Sequence, residues 1–199
     1  TDVNDNRSGL LIIRDGATLK GNGSLVMRTT GATRSVGING DPRASIESGG
    51  KLAPGEAASA GILSVGSASD SNALLKLQPG AIFDADVAGI MPGVNFDQVK
   101  LFGEIDITDA ILNLDAPSML VLPGDITLID NDSTDPIIGE FAGLAEGTVF
   151  NLGRHFGRIT YVGGDGNDLV IQSVPEPGVG IVLGLGFLTL ARRRRRATC

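Results

Sequence analysis

The chain has 199 residues, 29 of them glycine, with 4% aromatic residues, no tryptophan and a formal net charge of −7. That length gives one sizeable domain, and so much glycine with so few aromatics points to many tight turns around an aliphatic core. The charge is uneven: residues 1–174 hold 11 Lys+Arg against 22 Asp+Glu, a sum of −11, which argues against nucleic acid as a partner because phosphate binding needs clustered positive charge.

Residues 1–174 carry no sustained helical period. Leu10–Arg14 is a short apolar run closed by an Asp15-Gly16 turn; Gly21-Asn22-Gly23 is a second turn, and Ser24–Arg28 the next strand. Residues 31–43 read as a loop or weak strand, and Ala44–Glu47 leads into Ser48-Gly49-Gly50. Strands are then expected at Gly61–Val65, Ala73–Leu77, Ala81–Val87, Gln98–Phe102, Glu104–Ile107 and Ala110–Asp115. Beyond Pro123-Gly124 they are expected at Ile126–Ile129, Ile137–Phe141, Thr148–Leu152, Phe156–Val162 and Leu169–Val174. Ile105 and Ile107 alternate with Glu104 and Asp106, the two faces of one strand.

A loose repeat runs through these segments. Gly16-Ala17-Thr18-Leu19, Gly50-Lys51-Leu52, Gly80-Ala81-Ile82-Phe83 and Asp109-Ala110-Ile111-Leu112 look like one strand start, with their last residues 33, 31 and 29 positions apart. Such a period points to stacked coils, each covering the apolar face of the next. Serial short strands also suit a sandwich or barrel; the recurring glycine-small-x-aliphatic starts favour the solenoid.

Lys51-Leu52-Ala53-Pro54-Gly55 followed by Gly61-Ile62-Leu63-Ser64-Val65 resembles the autotransporter-associated β-strand repeat, where a Pro-Gly turn precedes a Gly-x-Leu-x-Val strand. Asn95-Phe96-Asp97-Gln98-Val99 is similar to the strand that follows in that family, and Thr127–Asp132, Gly139–Thr148 and Ile159–Val170 resemble its closing segment. The resemblance is clearest over residues 45–174 and implies a right-handed parallel β-helix of a large surface protein. It stops short of the membrane β-barrel that ends true autotransporters, which residues 175–199 cannot form.

Catalytic chemistry has few carriers. His155 is the only histidine and Cys199 the only cysteine, so there is no internal disulfide and little material for a His/Cys metal site. No serine sits in a Gly-x-Ser-x-Gly elbow. Between Leu77 and Gly153 the only basic residue is Lys100, which weakens a polysaccharide lyase or hydrolase without excluding a carboxylate pair. Two acidic clusters are candidate calcium ligands: Asp130, Asp132 and Asp135, and Asp165 with Asp168. The first lacks the sixth-position Gly and twelfth-position Glu of an EF-hand loop. The second, Gly163–Leu169, resembles a single nonapeptide of the calcium-binding RTX family, which works in stacked copies. Both read better as turns, and His155 is expected beside a hairpin turn.

The last 25 residues differ in kind. Pro175, Glu176 and Pro177 form a rigid extended tripeptide. Gly178–Ala191 carries no charge, and Arg192, Arg193, Arg194, Arg195 and Arg196 follow, then Ala197, Thr198 and Cys199. A 14-residue helix rises about 21 Å against a hydrocarbon core of about 30 Å; arginine snorkelling and local thinning close the difference. The order and spacing resemble the PEP-CTERM sorting signal of bacterial exported proteins. That resemblance implies a transmembrane helix over 178–191, a cytoplasmic basic cluster at 192–196, and a membrane enzyme, exosortase, as the partner that cleaves near the motif. Because the chain starts at Thr1 without an initiator Met or signal peptide, a precursor fragment or mature form is expected.

These readings combine into an all-β protein: a right-handed parallel β-helix over residues 1–174, outside the cytoplasm, followed by one C-terminal transmembrane helix in the inner membrane. The expected role is non-catalytic, structural or adhesive, at a cell surface or in an exopolysaccharide layer, with no cofactor. A glycan-cleaving enzyme on the same scaffold and a calcium-dependent adhesion module are the alternatives.

Overall fold

The computed structural model describes residues 11–26, 44–56, 59–67, 73–132 and 134–174, and these form strands and turns with no helix. The strands are β1 (Leu11–Ile13), β2 (Thr18–Gly21), β3 (Gly23–Leu25), β4 (Ala44–Ile46), β5 (Lys51–Pro54), β6 (Ile62–Val65), β7 (Ala73–Leu77), β8 (Ile82–Asp86), β9 (Gln98–Leu101), β10 (Gly103–Asp106), β11 (Ile111–Asp115), β12 (Ile126–Asn131), β13 (Ile137–Ile138), β14 (Val149–Leu152), β15 (His155–Gly163) and β16 (Asp168–Val174).

The strands fall into three sheets, and the chain visits each once per coil. The first sheet runs β1-β4-β7-β10-β13, the second β2-β5-β8-β11, and the third β3-β6-β9-β12 continued by β16-β15-β14. This is a β-solenoid. The aliphatic position of the sequence repeat is one of its ladders: Leu19, Leu52, Phe83 and Leu112 are successive parallel register partners in the second sheet. The spacing of about 30 residues is therefore one coil of chain. Ala44, Leu75 and Ile105 of the first sheet, and Leu63, Val99 and Ile129 of the third, form matching inward ladders and are almost fully buried. Ile105 and Ile107 point inward while Glu104 and Asp106 face out, as the alternation predicts.

The corner between the first and second sheets explains the glycines at which the repeats begin, and the aspartate that replaces one of them. Ala17, Gly50, Ala81 and Ala110 donate their N–H to Arg14, Glu47, Gln78 and Ile107, closing the same four-residue turn in each coil. The third residue of the turn has positive φ: Gly16 (74°), Gly49 (77°), Gly80 (82°) and Asp109 (57°). Glycine reaches that region without steric cost, and proline suits the position before it, as Pro79 does. The turns also bond along the axis: Gly16 N–H to Gly49 O, Gly49 to Gly80, Gly80 to Asp109, and Asp109 to Glu140.

The parallel winding does not continue to Val174. Its last parallel strand is the short β13, where Gly139 at positive φ (79°) turns the chain within the longer strand expected over Ile137–Phe141. β14, β15 and β16 then form an antiparallel meander, with β16 also pairing antiparallel to β12. This end is plugged from inside. Phe141 stacks on Phe83 with ring centroids 6.2 Å apart and meets Tyr161 at 6.3 Å. The Tyr161 hydroxyl accepts from Phe141 N–H (3.0 Å) and donates to Leu144 O (2.6 Å). Burial pushes its pKa up to about 12, helped by Glu140 and Glu146 and opposed by the Phe141 bond.

No helix among the described residues is long and apolar enough to cross a membrane. The expected helix at 178–191 and the basic cluster at 192–196 lie outside the described residues.

Candidate functional site: the corner that carries the long loops

The corner between the second and third sheets is where the coils differ. In the first coil Asn22 alone joins β2 to β3; the following coils insert residues 55–61, 87–97 and 116–125. In stacked-repeat architectures, insertions gathered on one side form the binding face. These loops stack beside one another, so the corner is the candidate site.

Asp97 organises it. Its side chain is almost fully buried, and its two carboxylate oxygens accept from Gly61 N–H (2.7 Å) and Asp86 N–H (2.9 Å). One acid thus ties the 55–61 loop to the end of β8, and Asp97 N–H donates in return to Asp86 O. Burial raises the Asp97 pKa, the two backbone bonds oppose this, and Asp86 and Asp84 raise it further. Asp86 is also raised, by burial first and then by Asp115 and Asp84; Asp115 is its direct register partner on β11.

A groove of about 250 Å³ opens outside the second sheet between Lys20, Lys51, Glu56, Asp84, Asp86 and Asp97. Lys51 holds Asp84 at 3.2 Å and Lys20 approaches Glu56 at 3.6 Å. No aromatic side chain lines the groove. It offers raised carboxylates for proton transfer, but Asp97 spends both oxygens on backbone groups, so its work is to hold the loops.

The two acidic segments singled out as calcium candidates are brought together where the end of β12 meets the start of β16. Asp168 Oδ1 accepts from Asn131 N–H at 2.8 Å, and Asp135 O accepts from Asn131 Nδ2 (2.7 Å) and Asn167 Nδ2 (3.3 Å). Burial raises the Asp168 pKa; the Asn131 bond opposes this, and Asp130, Asp165 and Asp132 add to the rise. Asp130 is engaged by Lys100 at 3.1 Å. Among the described residues no three His, Cys, Asp or Glu side chains are arranged to hold a metal ion. Residues 164–167 form the turn of the β15–β16 hairpin, as expected.

His155 pairs with Leu152 across the β14–β15 hairpin turn. That turn packs against the 116–125 loop: Gly153 has positive φ (63°), and a Cβ there would meet Pro117 O at 2.6 Å. Asp97 was not legible as a functional residue. Its partners are backbone N–H groups 36 and 11 positions away, and such contacts leave no side-chain motif.

The sorting-motif residues Pro175, Glu176 and Pro177 lie outside the described residues, but the place where the chain approaches them is defined. Ser173 N–H donates to Asp125 Oδ1 (2.8 Å) and Ser173 Oγ to Leu122 O (2.8 Å), so β16 ends against the 116–125 loop. The PEP-CTERM protein-sorting motif family matches residues 173–196. Neither a curated protein nor a solved structure matches the chain. The matched motif is the signal recognised by exosortase and implies sorting to the cell surface or extracellular space.

Proposed function

We propose that this chain is an exported surface or matrix protein whose β-solenoid is structural or adhesive, and whose C-terminal segment is a temporary membrane anchor released by exosortase. The observation that carries the reading is the sorting motif itself, which starts at Ser173 on the last strand of the solenoid. Residues 178–191 form the membrane helix, and Arg192–Arg196 hold its end in the cytoplasm by the positive-inside rule. The coils wind to the right, the sense that strand twist favours in parallel crossovers and the one implied by the resemblance to autotransporter-associated repeats. β5 and β6 coincide with the Pro-Gly-turn and Gly-x-Leu-x-Val strands on which that resemblance stands.

A non-catalytic role is supported by how the acids at the second corner are used. Asp97 binds backbone, Asp84 binds Lys51, and the groove lacks the aromatic platform on which sugar rings commonly rest. A glycan-cleaving enzyme is the competing class, and hydrolysis or elimination of acidic or neutral glycans by the purified chain would establish it. Heat on titration with calcium would instead establish a calcium-dependent adhesion module.

The test of the main reading is mass spectrometry of the exported protein from cells with the matching exosortase. Loss of the residues beyond Pro175-Glu176-Pro177 is expected, with retention when that tripeptide is replaced by three alanines. A mature protein still ending in Arg-Ala-Thr-Cys would leave a plain anchor and sink the processing step.

A further inference from the structure

We propose that the second corner is a lipid-contacting surface: while the tail is inserted, loops 87–97 and 116–125 lie in the headgroup region of the bilayer, with Met91, Val94, Met119 and Val121 as the contacting side chains. This rests on the reading of residues 178–191 as a membrane segment, and goes beyond it by fixing which side of the solenoid faces the membrane.

The first support is the distribution of exposed apolar residues. Among the described residues the most exposed large apolar side chains are Met119 (66%), Val94 (65%), Val121 (62%) and Met91 (56%) on these loops, together with Val162 (66%) on β15. Single exposed apolar side chains are ordinary. The four loop residues sit on two adjoining loops that share one hollow of about 410 Å³, lined by Val94 and Asn95 on one side and Asp115 and Pro117 on the other. Exposed apolar residues brought onto adjoining loops are what a contact surface uses. Nothing in strand alternation places them there, since both loops lie between strands.

The second support is where the chain leaves the solenoid. Ser173 is bonded to Leu122 and Asp125 of the 116–125 loop, so Val174 ends beside that loop. Four Cα-to-Cα steps separate Val174 from Gly178, a reach of at most about 14 Å. If Gly178 begins the membrane segment, the corner is held within that distance of it. β3 of the first coil, by contrast, is four strand spacings from β16, or roughly 19 Å along the axis. The chain therefore leaves the solenoid nearer to the apolar loops than to the first coil.

Charge sets the character of the contact. Asp115 and Asp125 flank the apolar residues, and Arg154 lies on the hairpin turn whose Gly153 packs against Pro117 and Leu120. The corner is not a basic patch, so the contact is apolar and does not need anionic lipid. It also persists at high salt, which screens charge pairs and leaves apolar burial in place.

The chain has no tryptophan, so one introduced indole reports its own surroundings. Full chains carrying Met119→Trp, Val94→Trp or Ile12→Trp are reconstituted into phosphatidylcholine vesicles, with and without bromine on the acyl chains near the headgroup. Ile12 faces outward from the first sheet in the first coil. Brominated lipid is expected to quench Met119→Trp and Val94→Trp but not Ile12→Trp, equally at low and high salt. Flotation with the vesicles reports tail insertion separately. Chains that float with no quenching at Met119 or Val94 overturn the lipid surface and leave the tail reading intact, as would be the case if the loops dock a protein. Chains that do not float overturn both. Equal quenching at all three positions, or quenching that requires phosphatidylglycerol, also overturns the proposal. As a check independent of the indole at position 119, Met119→Ser with Val121→Ser is expected to weaken the quenching of Val94→Trp.

Discussion

Lys100 of β9 lies 3.1 Å from Asp130, its register partner one coil later on β12. The same sense recurs on the other walls: Lys76 meets Asp106 at 2.7 Å, and Lys51 meets Asp84 at 3.2 Å, each cation one coil before its acid. Strands in a parallel sheet stand about 4.8 Å apart, which suits a lysine reaching to a short acid on the next rung. The pairs bind one coil to the next across the outer surface while aliphatic ladders do so inside.

Removing such a pair has a modest cost. Lys100→Ala and Asp130→Ala are each expected to lower stability, with a coupling energy of about 0.5–1 kcal/mol in a double-mutant cycle, the scale of partly exposed pairs. The bond from Asp130, and its charge, raise the Lys100 pKa above its ordinary 10.5. A raised cation stabilises below its unfolded value and loses that contribution as pH rises through the folded one. On the alkaline side the pair's contribution should therefore persist until strongly alkaline solution, and a cycle showing no coupling at neutral pH would refute it.

Asp109 is the non-glycine residue in the stacked corner turns, at φ 57°. An L-residue in the left-handed region costs about 1–2 kcal/mol, and aspartate tolerates it better than most. A β-branched side chain tolerates it least. Asp109→Gly is expected to match or slightly exceed the parent in thermal stability, and Asp109→Val to fall below it by about 1–2 kcal/mol. Val at this position melting with the parent would mean that the turn is not under the steric control argued here.

The wound part of the fold was legible because two independent signals share one period. Turn chemistry marks each first corner (Gly16, Gly49, Gly80), and an aliphatic or aromatic residue follows three positions later (Leu19, Leu52, Phe83). The antiparallel end was legible only in its turns. A hairpin turn beside His155 and a turn within Gly163–Leu169 are readable locally, and both are present at 153–154 and 164–167, but nothing local says that β14, β15 and β16 leave the parallel winding expected to run to Val174. The acidic segments around Asp130 and Asp168 were visible separately. Their meeting at Asn131 N–H depends on a strand pairing across 37 positions, which no local pattern encodes.

Acid should strengthen the solenoid before it weakens it. Asp86, Asp97 and Asp168 all have pKa values raised above the ordinary 3.8, burial being the largest cause in each. Between 3.8 and those raised values the folded chain binds more protons than the unfolded one, so stability increases as pH falls. Asp106 works the other way. Burial acts to raise its pKa, but the bonds from Lys76 and Thr108 outweigh it and hold it below 3.8, so its contribution is lost only in stronger acid. Thermal melts followed by circular dichroism should rise from neutral pH toward 3.8 and drop beyond it. Asp86→Asn removes a like charge facing Asp115 and should raise neutral-pH stability by roughly 0.2–1 kcal/mol, the scale of cross-strand pairs, while flattening the curve. A melting temperature that falls steadily from neutral pH downward would contradict the sign.

If residues 178–191 enter the membrane as proposed, the arginine run sets the direction of the tail. At the centre of a bilayer each arginine costs about 2.5–3.5 kcal/mol, so five in succession oppose transfer far more strongly than the glycine-rich run 178–191 favours insertion. Four of those 14 residues are glycine, which leaves the apolar drive small and gives the basic cluster the decision. Neutralising Arg192–Arg196 to serine should therefore scramble topology without preventing membrane association. Cys199, the only cysteine, is a ready reporter. In cells expressing the chain without exosortase, a membrane-impermeant maleimide applied from outside should leave Cys199 unlabelled in the parent and label a fraction of it in the serine variant. Retaining two arginines should restore most of the protection, because the cost is counted per charge. Labelling of Cys199 from outside in the parent chain would place the arginines on the wrong side of the membrane, and the anchor reading would fall with them.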